Sequence, residues 1–336
     1  MRRAIAILIV RNHGVRTSKS YVSVESGVGR TQERPVTASL ANSAELTALS
    51  ADIPTDVRHH FVQIDGLRIH YAEAGAGEPL VLLHGWPQHW WEWRHVIAPL
   101  AQRYRVICPD IRGLGWSEGS GDGYTFERLA RDLVELLDRL EVDRARVVGR
   151  DWGLVVGYRA CLNWPERFDQ FVALAGVHPW TIDGVRPAVF TRPWHVYALA
   201  ALGRSSALQS ALTKRSLRAW RHQGRFSDAE TAVYLSRMCT PGAHAATIDF
   251  NRNVVLHEVP HFARHYRMMR MRVPTLHLNG ACDPLSEGVP DSYRDYADDM
   301  RLERVPDCGH FVPEERPQWL ADRLLTFLGG GTKRRG

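Results

Sequence analysis

The sequence predicts an α/β fold: a mostly parallel sheet flanked by helices, with a helical segment inserted after the sixth strand. Three observations carry this. A continuous apolar run at Pro79–Leu83 has the composition of a strand buried on both faces, and Arg146–Gly149 is a second strand with Val147 and Val148 at its centre. Helical segments separate them, the clearest being Phe126–Leu140, which Thr125 opens as an N-cap. The alternation of strand and helix breaks from about Trp180 to Arg264 and then resumes.

Taken in order, residues 12–55 are rich in Ser, Thr, Ala, Glu and Val without a sustained period, so residues 1–57 read as a flexible extension. Phe61–Asp65 and Leu67–Glu73 alternate in polarity about Gly66 and predict a hairpin. Pro79–Leu83 is the third strand, and an aromatic-rich helix over Trp90–Leu100 leads to a fourth at Tyr104–Pro109. A polar glycine loop, Asp110–Ser117, precedes the helix over Phe126–Leu140. The fifth strand ends in Gly149, its helix stops at Trp164–Pro165, and Phe171–Ala175 is the sixth. Residues 58–179 thus form the first part of the core. Residues 180–264 are Arg-rich and helix-like, with prolines at 187, 193, 241 and 260, and are expected to lie as a cap over the C-terminal strand edge. Residues 265–331 complete the core with strands at Val273–Leu278 and Arg301–Val305, a helix at Asp291–Asp298 and a last helix at Gln318–Leu328.

The chemistry centres on Val147–Val148–Gly149–Arg150–Asp151–Trp152–Gly153. A strand that runs through Gly-x-Asp-x-Gly into a helix has the spacing of a nucleophile elbow, in which the flanking glycines allow close backbone passage. Serine is the usual occupant; an aspartate there suits attack on sp3 carbon with formation of an alkyl ester. Two more strands end in loops bearing Asp283 and His310. Alone, Asp283 before Pro284 reads as a turn cap and His310 as an ordinary buried histidine. In the order nucleophile, acid, histidine, each at a strand end, the three residues read as a triad.

These features resemble the α/β-hydrolase superfamily over roughly residues 60–330, most closely the epoxide hydrolases and their haloalkane-dehalogenase relatives. The elbow, His84–Gly85–Trp86–Pro87, the Asp110–Ser117 loop and Gly309–His310–Phe311 carry the likeness. The resemblance implies an α/β-hydrolase sheet and hydrolysis of an epoxide by water, and the tryptophans near the site and in the cap suggest an apolar or aromatic one. Asp151 would be the nucleophile, Asp283 and His310 the acid and base, and the backbone N–H groups of Trp86 and Trp152 the oxyanion hole. The family's two ring-opening tyrosines fall by alignment at His195 and Asn251, with Tyr197 and Tyr234 as substitutes. A haloalkane dehalogenase using the same aspartate is the alternative, with Trp152 and a cap residue such as Trp180 or Trp194 holding the halide. A non-catalytic ligand-binding relative is a third reading, which the intact triad opposes. Arg150 stands where these enzymes often have His, and no role is assigned to it.

Composition narrows the partners. The net charge of +6 draws on Arg2–Arg3 and Lys333–Arg334–Arg335 and shows no basic–aromatic stripe, so nucleic acid is not expected. Sixteen histidines include no HExxH or comparable cluster, so neither a metal nor another cofactor is expected. Five scattered cysteines without a CxxC suit a reducing cytoplasm. Met1–Val10 has a basic start and a short apolar run, but Arg11, Asn12 and His13 interrupt it and no cleavage pattern follows. The run is too short to span a bilayer, so no stable membrane insertion is expected, and a homodimer is left open.

Overall fold

The computed structural model describes residues 36–120, 123–184, 198–201, 205–222, 224, 226–258, 266–285 and 289–330. The chain divides into Met1–Ala41, of which residues 36–41 are described and helical, and Asn42–Gly336. Eight strands form one sheet: β1 (Val57–Ile64), β2 (Leu67–Ala74), β3 (Glu78–Leu83), β4 (Tyr104–Pro109), β5 (Ala145–Arg150), β6 (Phe168–Leu174), β7 (Thr275–Gly280) and β8 (Met300–Val305). Their spatial order is β1-β2-β4-β3-β5-β6-β7-β8, antiparallel at β1–β2 and β2–β4 and parallel elsewhere.

Helices cover both faces because the parallel strands alternate apolar side chains to each. Leu80, Leu82, Val148, Val172 and Leu276 meet the side that holds α2 (Arg94–Ala101) and the last helix (Pro317–Gly329). Val81, Leu83, Val147 and Phe171 meet the side that holds α3 (Phe126–Arg139) and α4 (Trp152–Asn163). Each such buried side chain contributes about 1.5–3 kcal/mol, and these strand residues are at most 3% exposed. Between β6 and β7 lie the helices α5 (Ser206–Ala219), α6 (Asp228–Met238) and α7 (Pro241–Asn253).

Registry puts the loops together. Leu83 pairs with Gly149, Gly149 with Ala173, Leu174 with Leu278, and Gly280 with Val305. The carboxyl ends of β3, β5, β7 and β8 therefore share one edge. The chain order reverses at β3, which has β4 on one side and β5 on the other, and such switch points open a crevice at that edge.

Three local expectations change. Val36–Ser50 is helix α1, although residues 12–55 show no period; its run of Ala, Leu and Glu favours helix by propensity rather than by pattern. Leu46 on it is 2% exposed, so residues 42–57 are packed structure rather than a loose lead-in. The aromatic helix is two pieces, a 3-10 turn at Trp90–Trp93 and then α2. The Asp110 carboxylate fixes the start of that turn by accepting from Trp90 N–H at 2.8 Å. Asp291–Asp295 is a single 3-10 turn, and Ala297 is drawn instead into a bridge with Met271. Among the described residues no helix is long and apolar enough to cross a membrane.

Candidate active site

At the elbow β5 ends in Arg150, α4 begins at Trp152, and Asp151 between them has φ 52° and ψ −110°. A positive φ strains a non-glycine residue and is tolerated where the surroundings dictate it. Here they do. Asp151 N–H donates to Leu174 O at 3.1 Å. A Cβ on Gly149 would lie 2.2 Å from Gly153 O, and one on Gly153 would lie 2.3 Å from Leu83 O. Only glycine at both places lets β3, β5 and α4 pass this closely.

The loop after β3 faces the aspartate. Trp86 N–H donates to Asp151 Oδ1 at 2.9 Å. His84 fastens this loop: its Nε2 accepts from Ile111 N–H at 2.9 Å, so its proton sits on Nδ1, which donates to Gly85 O at 3.1 Å. Burial lowers its pKa and keeps the ring neutral. The Asp110 loop is fastened in turn by Asp110, which accepts from His70 Nδ1 at 2.8 Å and Trp116 N–H at 2.9 Å. Burial opposes its charge, yet His70 and its other histidine neighbours hold Asp110 below the usual carboxylate range. Trp152 N–H belongs to the first turn of α4, where no intrahelical acceptor exists, so it is available beside Asp151.

His310 completes the arrangement from the loop after β8. Its Nε2 is 3.5 Å from Asp151 Oδ2, and its Nδ1 is 3.0 Å from Asp283 Oδ2. Asp283, at the end of β7, is 2% exposed and accepts from Leu285 N–H at 2.9 Å on its other oxygen. Burial works against the imidazolium, but Asp283 and Asp151 together raise His310 to about 9. Burial likewise works against the Asp151 charge; His310, Arg150 and the Trp86 N–H outweigh it and lower its pKa.

This has a consequence for stability. A histidine whose pKa rises from 6.5 to about 9 on folding stabilises the fold fully below pH 6.5 and loses that contribution as pH rises through 9. The loss is on the order of 3 kcal/mol at 1.36 kcal/mol per pKa unit. The melting temperature is expected to fall between these pH values and the fall to flatten in His310→Gln. Equal slopes in the two proteins would refute the coupling.

The family-level comparisons agree with one another. The model for the alpha/beta hydrolase fold matches residues 78–317, and that for the epoxide hydrolase N terminus matches residues 9–93. The chain is 30% identical over 285 residues to the soluble epoxide hydrolase of Corynebacterium sp. (strain C12), covering 82% of this chain and 98% of that one. It belongs to the epoxide hydrolase family. Epoxide hydrolase 4 of Mus musculus is 26% identical over 296 residues, covering 82% and 81% of the two chains. The solved structure of epoxide hydrolase CorEH without ligand superimposes with a TM-score of 0.75 at 30% identity, over 82% of this chain and 99% of that one. The protein is thus a hydrolase of α/β-hydrolase fold.

Within this epoxide hydrolase, Asp151, Asp283, His310, Trp86 and Trp152 meet at one sheet edge. The ring-opening candidates do not all join them. His195 and Tyr197 lie outside the described residues, as does Trp194. Tyr234 turns into the interior, where its hydroxyl donates to Glu314 and accepts from Arg94 Nη1 at 3.2 Å. Asn251 is buried and its Nδ2 donates one turn back to Thr247 O at 2.6 Å. The Tyr234 hydroxyl is thus held by charged neighbours, and Asn251 spends one of its two Nδ2 hydrogens on its own helix. Phe250, beside Asn251, is what faces the elbow, stacking on Trp152 with ring centroids 3.4 Å apart. Trp180 is likewise committed, its indole N–H donating to Tyr266 O at 2.9 Å.

Sequence reasoning left Arg150 without a role and missed Gln88, Glu92 and Glu314. Arg150 is fully buried and pairs with Glu92. A lone acid within Trp90–Trp91–Glu92–Trp93 was the available signal, since a charge among tryptophans needs a buried partner. His95, Glu230 and Glu314 place ligand-type atoms within 4.8 Å of one another. Arg94 already lies against both carboxylates, at 2.6 and 2.7 Å, which makes this an ion-pair cluster.

Proposed function

We propose that this epoxide hydrolase converts an apolar or aromatic epoxide and water to a vicinal diol through an ester on Asp151. The carrying observation is the divided environment of that carboxylate: Oδ1 accepts from Trp86 N–H, while Oδ2 faces His310 at 3.5 Å. Oδ2 attacks an epoxide carbon in line, the C–O bond breaks, and the ring oxygen leaves as an alkoxide that takes a proton. Oδ1 becomes the ester carbonyl oxygen, beside the Trp86 N–H that it already accepts from, and the Trp152 N–H is the proposed second donor, each worth about 3–4 kcal/mol to an oxyanion. Esterification also removes the Asp151 charge, one of the groups that holds the proton on His310. The imidazole then falls back toward its ordinary range, in which it deprotonates water as Asp283 orients it. Water attacks the ester carbonyl carbon, the diol leaves with the Asp151 oxygen, and the carboxylate is restored.

His195 and Tyr197 retain the proposed part of proton donor to the alkoxide; the Tyr234 hydroxyl is given to Glu314, and Asn251 gives one of its two Nδ2 hydrogens to Thr247 O and keeps the other for a hydrogen bond. Residues 180–264 form the proposed cap, and the free thiols suit the cytoplasm. The test is a single turnover in 18O-water with enzyme in excess over an aryl epoxide. The diol is expected to be unlabelled, with the label in Asp151. Labelled diol would mean direct attack by water. Alcohol and halide from haloalkanes, with epoxides untouched, would replace this reading with a dehalogenase.

A further inference from the structure

A fully buried arginine directly before a carboxylate nucleophile is an electrostatic hazard: left to itself, a guanidinium pairs with the nearest carboxylate and blunts it. In this protein Arg150 is turned elsewhere. Its Nε lies 3.0 Å from Glu92 Oε2 and its Nη2 lies 2.8 Å from the same oxygen, while Nη2 also donates to Gln88 Oε1 at 2.7 Å. Its Cζ sits 5.2 Å from the centre of the Phe311 ring, the residue after His310. Gln88 Nε2 continues to Glu314 Oε1 at 3.1 Å, in the helix that follows the His310 loop. Arg150 Nη1 is buried with no hydrogen-bond partner. Glu92, Gln88 and Trp86 all belong to the segment after β3 that also supplies the N–H donor to Asp151.

We propose that Arg150, clamped by Glu92 and Gln88, is a positioning residue that ties the Asp151 elbow to the Trp86 loop, and that Glu92 is the counter-charge keeping the guanidinium off the nucleophile. A planar fork held by two partners fixes both distance and direction, which a lysine or a neutral side chain does not. The pair lies under the three loops whose relative placement sets the site. The groups facing it are His84 from the segment after β3, Asp151 from the elbow, Glu314 after β8, and Tyr234 from the insertion, and Asp151 in turn carries its effect to His310. Burial pushes the Glu92 carboxyl up, against the pull of the Arg150 guanidinium.

The test uses Glu92→Gln and the double variant Glu92→Gln/Arg150→Gln in the full chain, with melting curves to establish folding. In Glu92→Gln the guanidinium is uncompensated. The His310 titration midpoint, followed by 15N-imidazole NMR and assigned with His310→Gln, is expected to fall by about tenfold in proton affinity. Adding Arg150→Gln is expected to return it most of the way, a reversal that simple loosening of structure does not produce. In the double variant the tie is gone, and hydrogen exchange at the Trp86 amide is expected to quicken by at least about tenfold, with ester formation slowed by a similar factor. Unchanged Trp86 exchange in the double variant overturns the proposal, even if Glu92→Gln alone does not fold. So does a His310 midpoint that moves further in the same direction. The rate arm rests on the epoxide reading, whereas both NMR arms need no substrate. Failure of the wild type to form any ester would therefore sink that reading while the exchange result still decides this one.

Discussion

Replacing Asp151 by asparagine is expected to abolish epoxide turnover, by a factor on the order of 10^6, the scale on which loss of a covalent nucleophile acts. The substitution keeps size and shape. The amide oxygen still accepts from Trp86 N–H, now 2.9 Å from Oδ1, and the strained elbow backbone is unaffected. What disappears is the charged, nucleophilic Oδ2. Two side effects separate this from misfolding. The melting temperature at pH 6.5 should drop only modestly, and its decline toward pH 9 should shrink, because one of the two carboxylates that raise His310 has gone. Initial rates with a chromogenic aryl epoxide and a pH series of melting curves measure both. Retention of even a hundredth of wild-type turnover by a protein free of reversion would remove Asp151 from the mechanism.

Much of this site was legible because strand ends are legible. Leu80–Leu83 and Val147–Val148 are apolar without interruption since both sheet faces are covered, and each run stops where a loop must carry function. Glycine at 149 and 153 around an aspartate is a demand of close backbone passage, and the distances of 2.2 and 2.3 Å state that demand in the fold. Asp283 and His310 needed only their chain order and the parallel registry that aligns β5, β7 and β8. Arg150 was not legible, because its partner Glu92 is 58 residues away and on another loop, and the two charges match only once β3 and β5 are known to be neighbours. The partners of Tyr234 and Asn251 were hidden for a related reason. A one-dimensional alignment gives a residue's place on a helix but not which neighbour claims its polar atom, and Glu314 and Thr247 O claim these two. The α1 helix escaped because propensity without amphipathic period leaves no pattern to count.

His310→Gln is expected to divide the reaction into its halves. Glutamine fills much the same volume and keeps an amide to meet Asp283, so Asp151 retains its position and its Trp86 donor. Attack on the epoxide does not call on the imidazole as a base, whereas hydrolysis of the ester does. Loss of a general base costs roughly 10^2–10^4-fold, so the steady-state rate should fall by that factor while the ester accumulates. Intact mass is the decisive measurement, because an epoxide has no leaving group. The adduct should carry the whole mass of the epoxide, should map to the peptide containing Asp151, and should be absent when Asp151→Asn is added. With a haloalkane as electrophile the same chemistry would leave an adduct lighter by hydrogen halide, so the panel reads the leaving group directly from the mass. A protein that turns over normally without any adduct would show that water is activated elsewhere. An adduct that forms as slowly as it hydrolyses would place the imidazole in the first half as well, where its positive charge in the resting site, between Asp151 at 3.5 Å and Asp283 at 3.0 Å, would be orienting the nucleophile.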